Sequence, residues 1–247
     1  MLIIEPYNAT HLVLIVVLPV LLFLVAGSLL NSRNTDFRRK AFLWICCINA
    51  VLYFVYKVVQ ANDPSYGFEL LTNLPLHFCN INLILLPLAI LTDNRVLKAY
   101  QVYFGVPLAA LALLTVDPAF RSKSLIEFTC LFYFYYHSML MVIPLLMVRF
   151  RQFKPAFNAI WQPTVLLLAL TVVMHGVNTV FRTTGIAQTA NYFFTYGLEG
   201  DILTETLKAI IPYNFFFLLP SLVLFVPYIL VITIPYHLSD HRKKKAR

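Results

Sequence analysis

Residues 11–30 read HLVLIVVLPVLLFLVAGSLL, a run of twenty without a single Asp, Glu, Lys or Arg. A helix of that length covers about 30 Å at 1.5 Å per residue, the thickness of a bilayer's hydrocarbon core. The rest of the chain has the same character. Of 247 residues, 60% are hydrophobic and only 12% charged, and the mean hydropathy is +0.76. A water-soluble domain of this size would have to cover its surface with apolar groups, so the chain reads as an integral membrane protein. In lipid the backbone must satisfy its own hydrogen bonds, which makes apolar runs of about 20 residues helices.

Seven runs qualify: 11–30, 41–58, 74–92, 99–116, 129–148, 165–181 and 211–236. The expected fold is all-α, a polytopic bundle of seven transmembrane helices forming one domain over residues 1–247. A basic tail, 237–247, follows the last span. The first eleven residues lack a basic leader and a small-residue cleavage site before the apolar run, so the first helix is read as retained. With the N-terminus outside and the C-terminus inside, fourteen of the 19 Lys and Arg fall on inner segments, as the positive-inside rule requires. The net charge of +8 belongs to those short inner segments and the tail HRKKKAR, where it meets anionic headgroups. It is not interleaved with base-reading elements, and no nucleic-acid partner is expected.

Polar groups inside the spans carry the functional signal. The third run opens LTNLPLHFCNIN (71–82) and places His77, Cys79 and Asn82 in its first turns. Counted as a helix from Leu74, with Asn73 as its cap and Pro75 in its first turn, Cys79 lies about 8 Å below the outer boundary. His137, in CLFYFYYHSMLMV, lies about 12 Å below the same boundary, and His175 and Asn178 about 5 to 10 Å below it. Tyr213 and Asn214 open the seventh run at the same face. A single intramembrane histidine or amide is ordinarily an interhelical hydrogen-bond device. Several at one depth on three helices make a candidate site.

At 100° per residue His77 and Cys79 point apart, so a base for the thiol is expected from another helix, His137 first by depth and His175 second. Asn82, Asn178 and free N–H groups at the start of the third helix are candidate oxyanion donors. Cys46 and Cys47 read as packing residues, and the four cysteines show no disulfide spacing. The runs Tyr133–Tyr136 and Phe215–Phe217 read first as interfacial aromatic belts and second as the lining of an acyl-chain pocket. DILTETLKAII (201–211) reads as a short surface helix.

The ordered segments LPLHFCNINLILLPLAILT, YFGVPLAALALLTVD, FYFYYHSMLMVIPL, GVNTVF and NYFFTYG resemble the YwaF / transmembrane protein 164 family over approximately residues 70–235. That resemblance implies an acyltransferase of membrane lipids, with an acyl donor and a lysolipid acceptor as partners and no cofactor. By position it implies Cys79 as nucleophile and His137 as its partner, and it singles out Asp117, Asn191 and Tyr192. Ser138 departs from the family's Gly, Val116 from its Pro, and IIPYNFF from its Trp-rich segment. In a bacterial host the location implied is the plasma membrane.

Two other functions fit the same residues. One is a zinc-dependent lipid hydrolase using His77, Cys79, His137 and His175 as ligands, although the spans supply no acidic base. The other is a lipid transporter or scaffold, which would need a polar path through the apolar inner halves.

Overall fold

Asn8 and Asn34 start the first two long helices by the same device. Each side-chain oxygen accepts a backbone N–H three residues on, from His11 and from Phe37, both at 2.8 Å. This satisfies one of the orphan donors of a first turn. The helices so opened are α1, Ala9–Asn31, and α2, Thr35–Asn62. The computed structural model describes residues 3–115, 123–197 and 202–245. After α2 come α3 (Phe78–Leu91), α4 (Arg95–Tyr100), a wide π turn (Gln101–Gly105) and α5 (Val106–Leu114). Then follow α6 (Phe128–Arg149), α7 (Trp161–Thr183), α8 (Ile202–Ile210) and α9 (Val226–Lys245). Among the described residues there is no strand, only one antiparallel bridge between Ile3 and Ser124.

Six stretches are long and apolar enough to cross a membrane: Ala9–Asn31, Thr35–Asn62, Arg95–Leu114, Phe128–Arg149, Phe157–Thr183 and Phe216–Ser239. Their outward residues are apolar. Along α1, Val13, Val16, Val17, Val20, Leu21 and Leu24 are all exposed, a surface suited to lipid. This is a multi-pass membrane protein.

The third run differs from its expected form. Its helix begins at Phe78, not Leu74, and has 14 residues, about 21 Å long. Pro75 disfavours a helical Leu74, and the chain from Leu71 to His77 is turn and bend. Asn73 does not cap the helix: its amide donates to the Glu69 carbonyl at 3.0 Å. His77 therefore precedes the helix, and the helical-wheel separation of His77 from Cys79 does not apply.

Proline shapes two other spans. Pro107 lacks the N–H that would bond four residues back, and the ladder widens just before it into the π turn. The last span begins as a 3₁₀ stretch, Phe216–Phe225, containing Pro220. It continues as α9 through the segment read as a tail.

Two compact units are distinguished, Met1–Phe68 with Ile81–Phe153, and Glu69–Asn80 with Lys154–Arg247. In the first, α6 packs against α1, α2, α5 and the π turn and is buried around most of its circumference. Tyr133, Phe134 and Tyr136 lie in this core. They form no belt, and the Tyr133 hydroxyl donates to the Ala112 carbonyl. In the second unit Phe217 is buried and Phe216 exposed. Here α7 packs on the turn Tyr192–Phe194, and the 3₁₀ stretch on α8 and α9.

His11 closes the first unit. It is fully buried; its Nε2 donates to the Leu113 carbonyl at 2.8 Å and its Nδ1 accepts the Tyr7 N–H at 2.9 Å. The first bond satisfies one of the free carbonyls at the end of α5. His11→Ala is expected to lower stability by about 1–3 kcal/mol, the cost of stranding a buried polar group. A thermal melt of the detergent-solubilised protein measures it, and an unchanged midpoint would remove His11 from this role.

Candidate functional site

A buried polar arrangement in the second unit is built on α7. Asn178 is fully buried, and its Oδ1 accepts the Tyr192 N–H at 2.8 Å. Its Nδ2 donates to the Tyr192 carbonyl at 2.7 Å and to Thr195 Oγ1 at 2.9 Å. One amide thus supplies both backbone partners of Tyr192. Asn191 holds the other end of the same turn, accepting the Tyr196 N–H at 3.0 Å and donating to the Gly197 carbonyl.

What these bonds hold is a backbone under strain. Phe193 and Phe194 have φ of 57° and 53°, a left-handed conformation that costs a residue with a Cβ roughly 1–2 kcal/mol. Gly197, at φ 86°, occupies such a position without that cost. A Cβ there would collide with Lys208 of α8, whose ammonium donates to the Tyr196 carbonyl.

The strain aims three aromatic rings at the segment that precedes Cys79. The Phe193 ring centroid lies 3.6 Å from that of Phe78. His77 meets Tyr192 edge-on at 5.3 Å and Phe194 at 5.1 Å. The Tyr192 hydroxyl donates to the Leu71 carbonyl, and burial pushes its pKa up, which keeps the donor proton in place. Cys79 is the second residue of α3, in the turn whose N–H groups have no intrahelical acceptor. It is half-buried and in no disulfide.

His175 joins the arrangement from α7. Its Nδ1 lies 3.1 Å from Thr195 Oγ1. That hydroxyl accepts from Asn178 and so has its own proton to offer the ring. The imidazole is stacked on Tyr196 at 5.2 Å.

Five of the residues singled out in the sequence, His77, His175, Asn178, Asn191 and Tyr192, thus lie with Cys79 in the second unit. His137 and Asn82 belong to the first. His137 is buried in α6, and its Nδ1 lies 2.8 Å from the Tyr133 carbonyl. A carbonyl only accepts, so Nδ1 carries the proton and Nε2 is the basic nitrogen of the neutral ring. Asn82 Oδ1 accepts from Gln101 Nε2 at 2.8 Å, a buried pair that joins α3 to the π turn. Asp117 lies outside the described residues. Tyr213 and Asn214 are exposed and precede the last helical stretch.

Sequence reasoning passed over Gln101, Thr195 and Lys208. Gln101 had a signal, a lone amide six residues before Pro107 in an apolar run. Thr195 and Lys208 had none, since their partners are set by the turn's fold. Among the described residues no group of three or more His, Cys, Asp or Glu side chains is placed to hold a metal ion.

The family model described as the TMEM164 family matches residues 6–233. The chain belongs to the TMEM164 family. The region shared with the TMEM164 family takes in every candidate residue named above and the α8 segment. Comparison with curated proteins gives no match, and comparison with solved structures gives none.

Proposed function

We propose that this TMEM164-family protein is a membrane acyltransferase that moves a fatty acyl chain between lipids through Cys79. The observation that carries the reading is the half-buried thiol at the tip of α3, directly after a segment gripped by a strained aromatic turn. Strain of this kind persists where the surroundings over-determine it, and it concentrates at working sites.

In the proposed reaction the Cys79 thiol passes its proton to a histidine, His137 by the family resemblance. The sulfur attacks the ester carbonyl of a donor phospholipid. Collapse of the tetrahedral intermediate breaks the ester C–O bond, and the departing lysolipid oxygen takes the proton from the histidinium. A hydroxyl of the acceptor lysolipid then attacks the thioester, gives its proton to the histidine, and leaves the thiol restored. Backbone N–H groups in the first turn of α3 are suited to the oxyanion.

The proposed topology has the N-terminus outside, the C-terminus inside, and seven crossings. The bias of the basic residues favours ends on opposite sides, and so an odd number of crossings. A 14-residue α3 reaches across only together with the folded segment before it, which is permissible where protein surrounds the non-helical backbone. In a bacterial host the protein sits in the plasma membrane. A cysteine placed at Ser239 should resist impermeant thiol reagents on intact cells, and external labelling would reverse the orientation.

The decisive measurement is a trap. Full-length protein in liposomes, supplied with a phospholipid bearing a labelled acyl chain, should accumulate label on the Cys79 peptide, and hydroxylamine should release it. Transfer to lysolipid without labelling of any cysteine would sink the thioester route.

A further inference from the structure

The turn between α1 and α2 gathers guanidinium groups at the end of α6. Arg38 donates from Nε to the Leu30 carbonyl at 2.9 Å and from Nη2 to the Asn31 carbonyl at 2.6 Å. Its guanidinium carbon lies 4.1 Å from the centroid of the Phe150 ring. Arg149 approaches the same ring, at 6.0 Å, and the Phe23 ring of α1 at 5.5 Å. It fits against α1 at Gly27, where a Cβ would come within 2.9 Å of Nη1. Arg33 belongs to the same turn and lies 5.0 Å over Phe37.

Among the described residues no carboxylate forms an ion pair with these charges. The only carboxylate in residues 31–40 is Asp36, and the ion pairs among the described residues are Lys98–Asp93 and Lys123–Glu127. Arg38 does cap the carbonyl end of α1, which carries roughly half a negative charge, but the N-terminus of α2 beside it carries about the opposite half. Arg33, Arg38, Arg39 and Lys40 with Arg149, against Asp36, leave about four positive charges. Ordinary solvated arginines spread apart. Here Arg38 and Arg149 lie within 6.0 Å of one ring centroid, and a notch without a side chain admits Arg149. The apolar stretches α1 and α6 both end at this point, which places the charges where a bilayer's phosphates lie.

We propose that this end of the first unit binds one anionic phospholipid headgroup, its phosphate held by Arg38 and Arg149 with Arg33 as an outer ion pair. A guanidinium fork matches the oxygens of a phosphodiester and gives charge-assisted hydrogen bonds. Phe150 and Phe23 flank the cations with apolar faces that suit the glycerol and upper acyl region. The site is separate from the Cys79 chemistry and does not depend on it.

Native mass spectrometry of the detergent-solubilised full-length protein tests this, with phosphatidylglycerol, phosphatidylcholine or inorganic phosphate as the probe. Phosphatidylglycerol should bind one to one and phosphatidylcholine about tenfold more weakly. Arg38→Gln with Arg149→Gln should weaken phosphatidylglycerol about 10- to 100-fold, as loss of charge-assisted bonds does. Arg149→Gln alone removes no hydrogen bond among the described residues, so it should keep the fold, and it should still weaken binding about tenfold. Gly27→Leu, which keeps every charge but displaces the Arg149 guanidinium, should do the same. Arg95→Gln with Arg151→Gln removes equal charge from the unit and should leave binding within about twofold, as for charges outside the contact. If that control loses as much as the Arg38/Arg149 pair, the attraction is diffuse and the site does not exist. Equal binding of the two lipids overturns the proposal, and so does displacement of the lipid by inorganic phosphate at matched concentration.

Discussion

Cys79→Ala should abolish acyl transfer between lipids while leaving the fold and the membrane insertion intact. The thiol is half-buried at the end of a helix, so removing one sulfur atom opens little volume. Cys79→Ser should be almost as inactive, because a hydroxyl at neutral pH is a far weaker nucleophile than a thiolate. His137→Ala should lower the rate by about 10²- to 10⁴-fold, the usual contribution of a positioned base. His137→Gln should not rescue it, since an amide restores the polar contact to the Tyr133 carbonyl but accepts no proton. Cys46→Ala and Cys47→Ala are the controls and should retain turnover. The measurement is labelled-acyl exchange in liposomes at equal protein loading. Wild-type turnover in Cys79→Ala would end the thioester mechanism. A full rate in His137→Ala with loss in His175→Ala would transfer the base to α7.

Asn178→Ala should produce the largest structural effect of any single substitution in the second unit. It strands the Tyr192 N–H and carbonyl and removes the bond to Thr195. With each buried loss costing about 1 kcal/mol or more, the total is about 3 kcal/mol. That exceeds what two left-handed phenylalanines can tolerate, so the turn at 191–197 should open. Hydrogen exchange at the Phe193–Tyr196 amides should accelerate at least about 100-fold, the factor that this energy gives. Asn178→Asp keeps the acceptor for the Tyr192 N–H and should fall between. Unchanged exchange in Asn178→Ala would mean that ring packing alone holds the turn.

The long helices were legible because hydropathy and length suffice for them. Lipid-facing α1 needs no partner to be recognised, whereas α2 begins at Thr35, six residues before its apolar run, because the Asn34 side chain caps it. What escaped the sequence depends on distant contacts or on ambiguous residue types. Asn73 and Pro75 are suitable cap and first-turn residues for a helix that starts at Leu74. Instead the chain up to His77 is gripped by Tyr192, whose hydroxyl partner is 121 positions away. Phenylalanine gives no hint of a left-handed backbone, so the bend at 193–194 could not be read. The aromatic run of α6 reads as interfacial because four consecutive rings, Tyr133–Tyr136, cover every side of one helical turn and so do not show which side is buried. His175, Asn178, Asn191 and Tyr192 were found as candidates, but their mutual bonding follows from the turn and not from their spacing.

The two left-handed phenylalanines also set opposing demands on anyone engineering this protein. Glycine at 193 or 194 would relax the backbone, and a screen for heat resistance would tend to favour it. The same change would delete the ring that rests on Phe78 or the one beside His77. If the strain serves the proposed acyl transfer, selection by melting temperature alone would then drift toward variants that are sturdier and idle. A library at these positions has to be sorted on turnover first and on heat second.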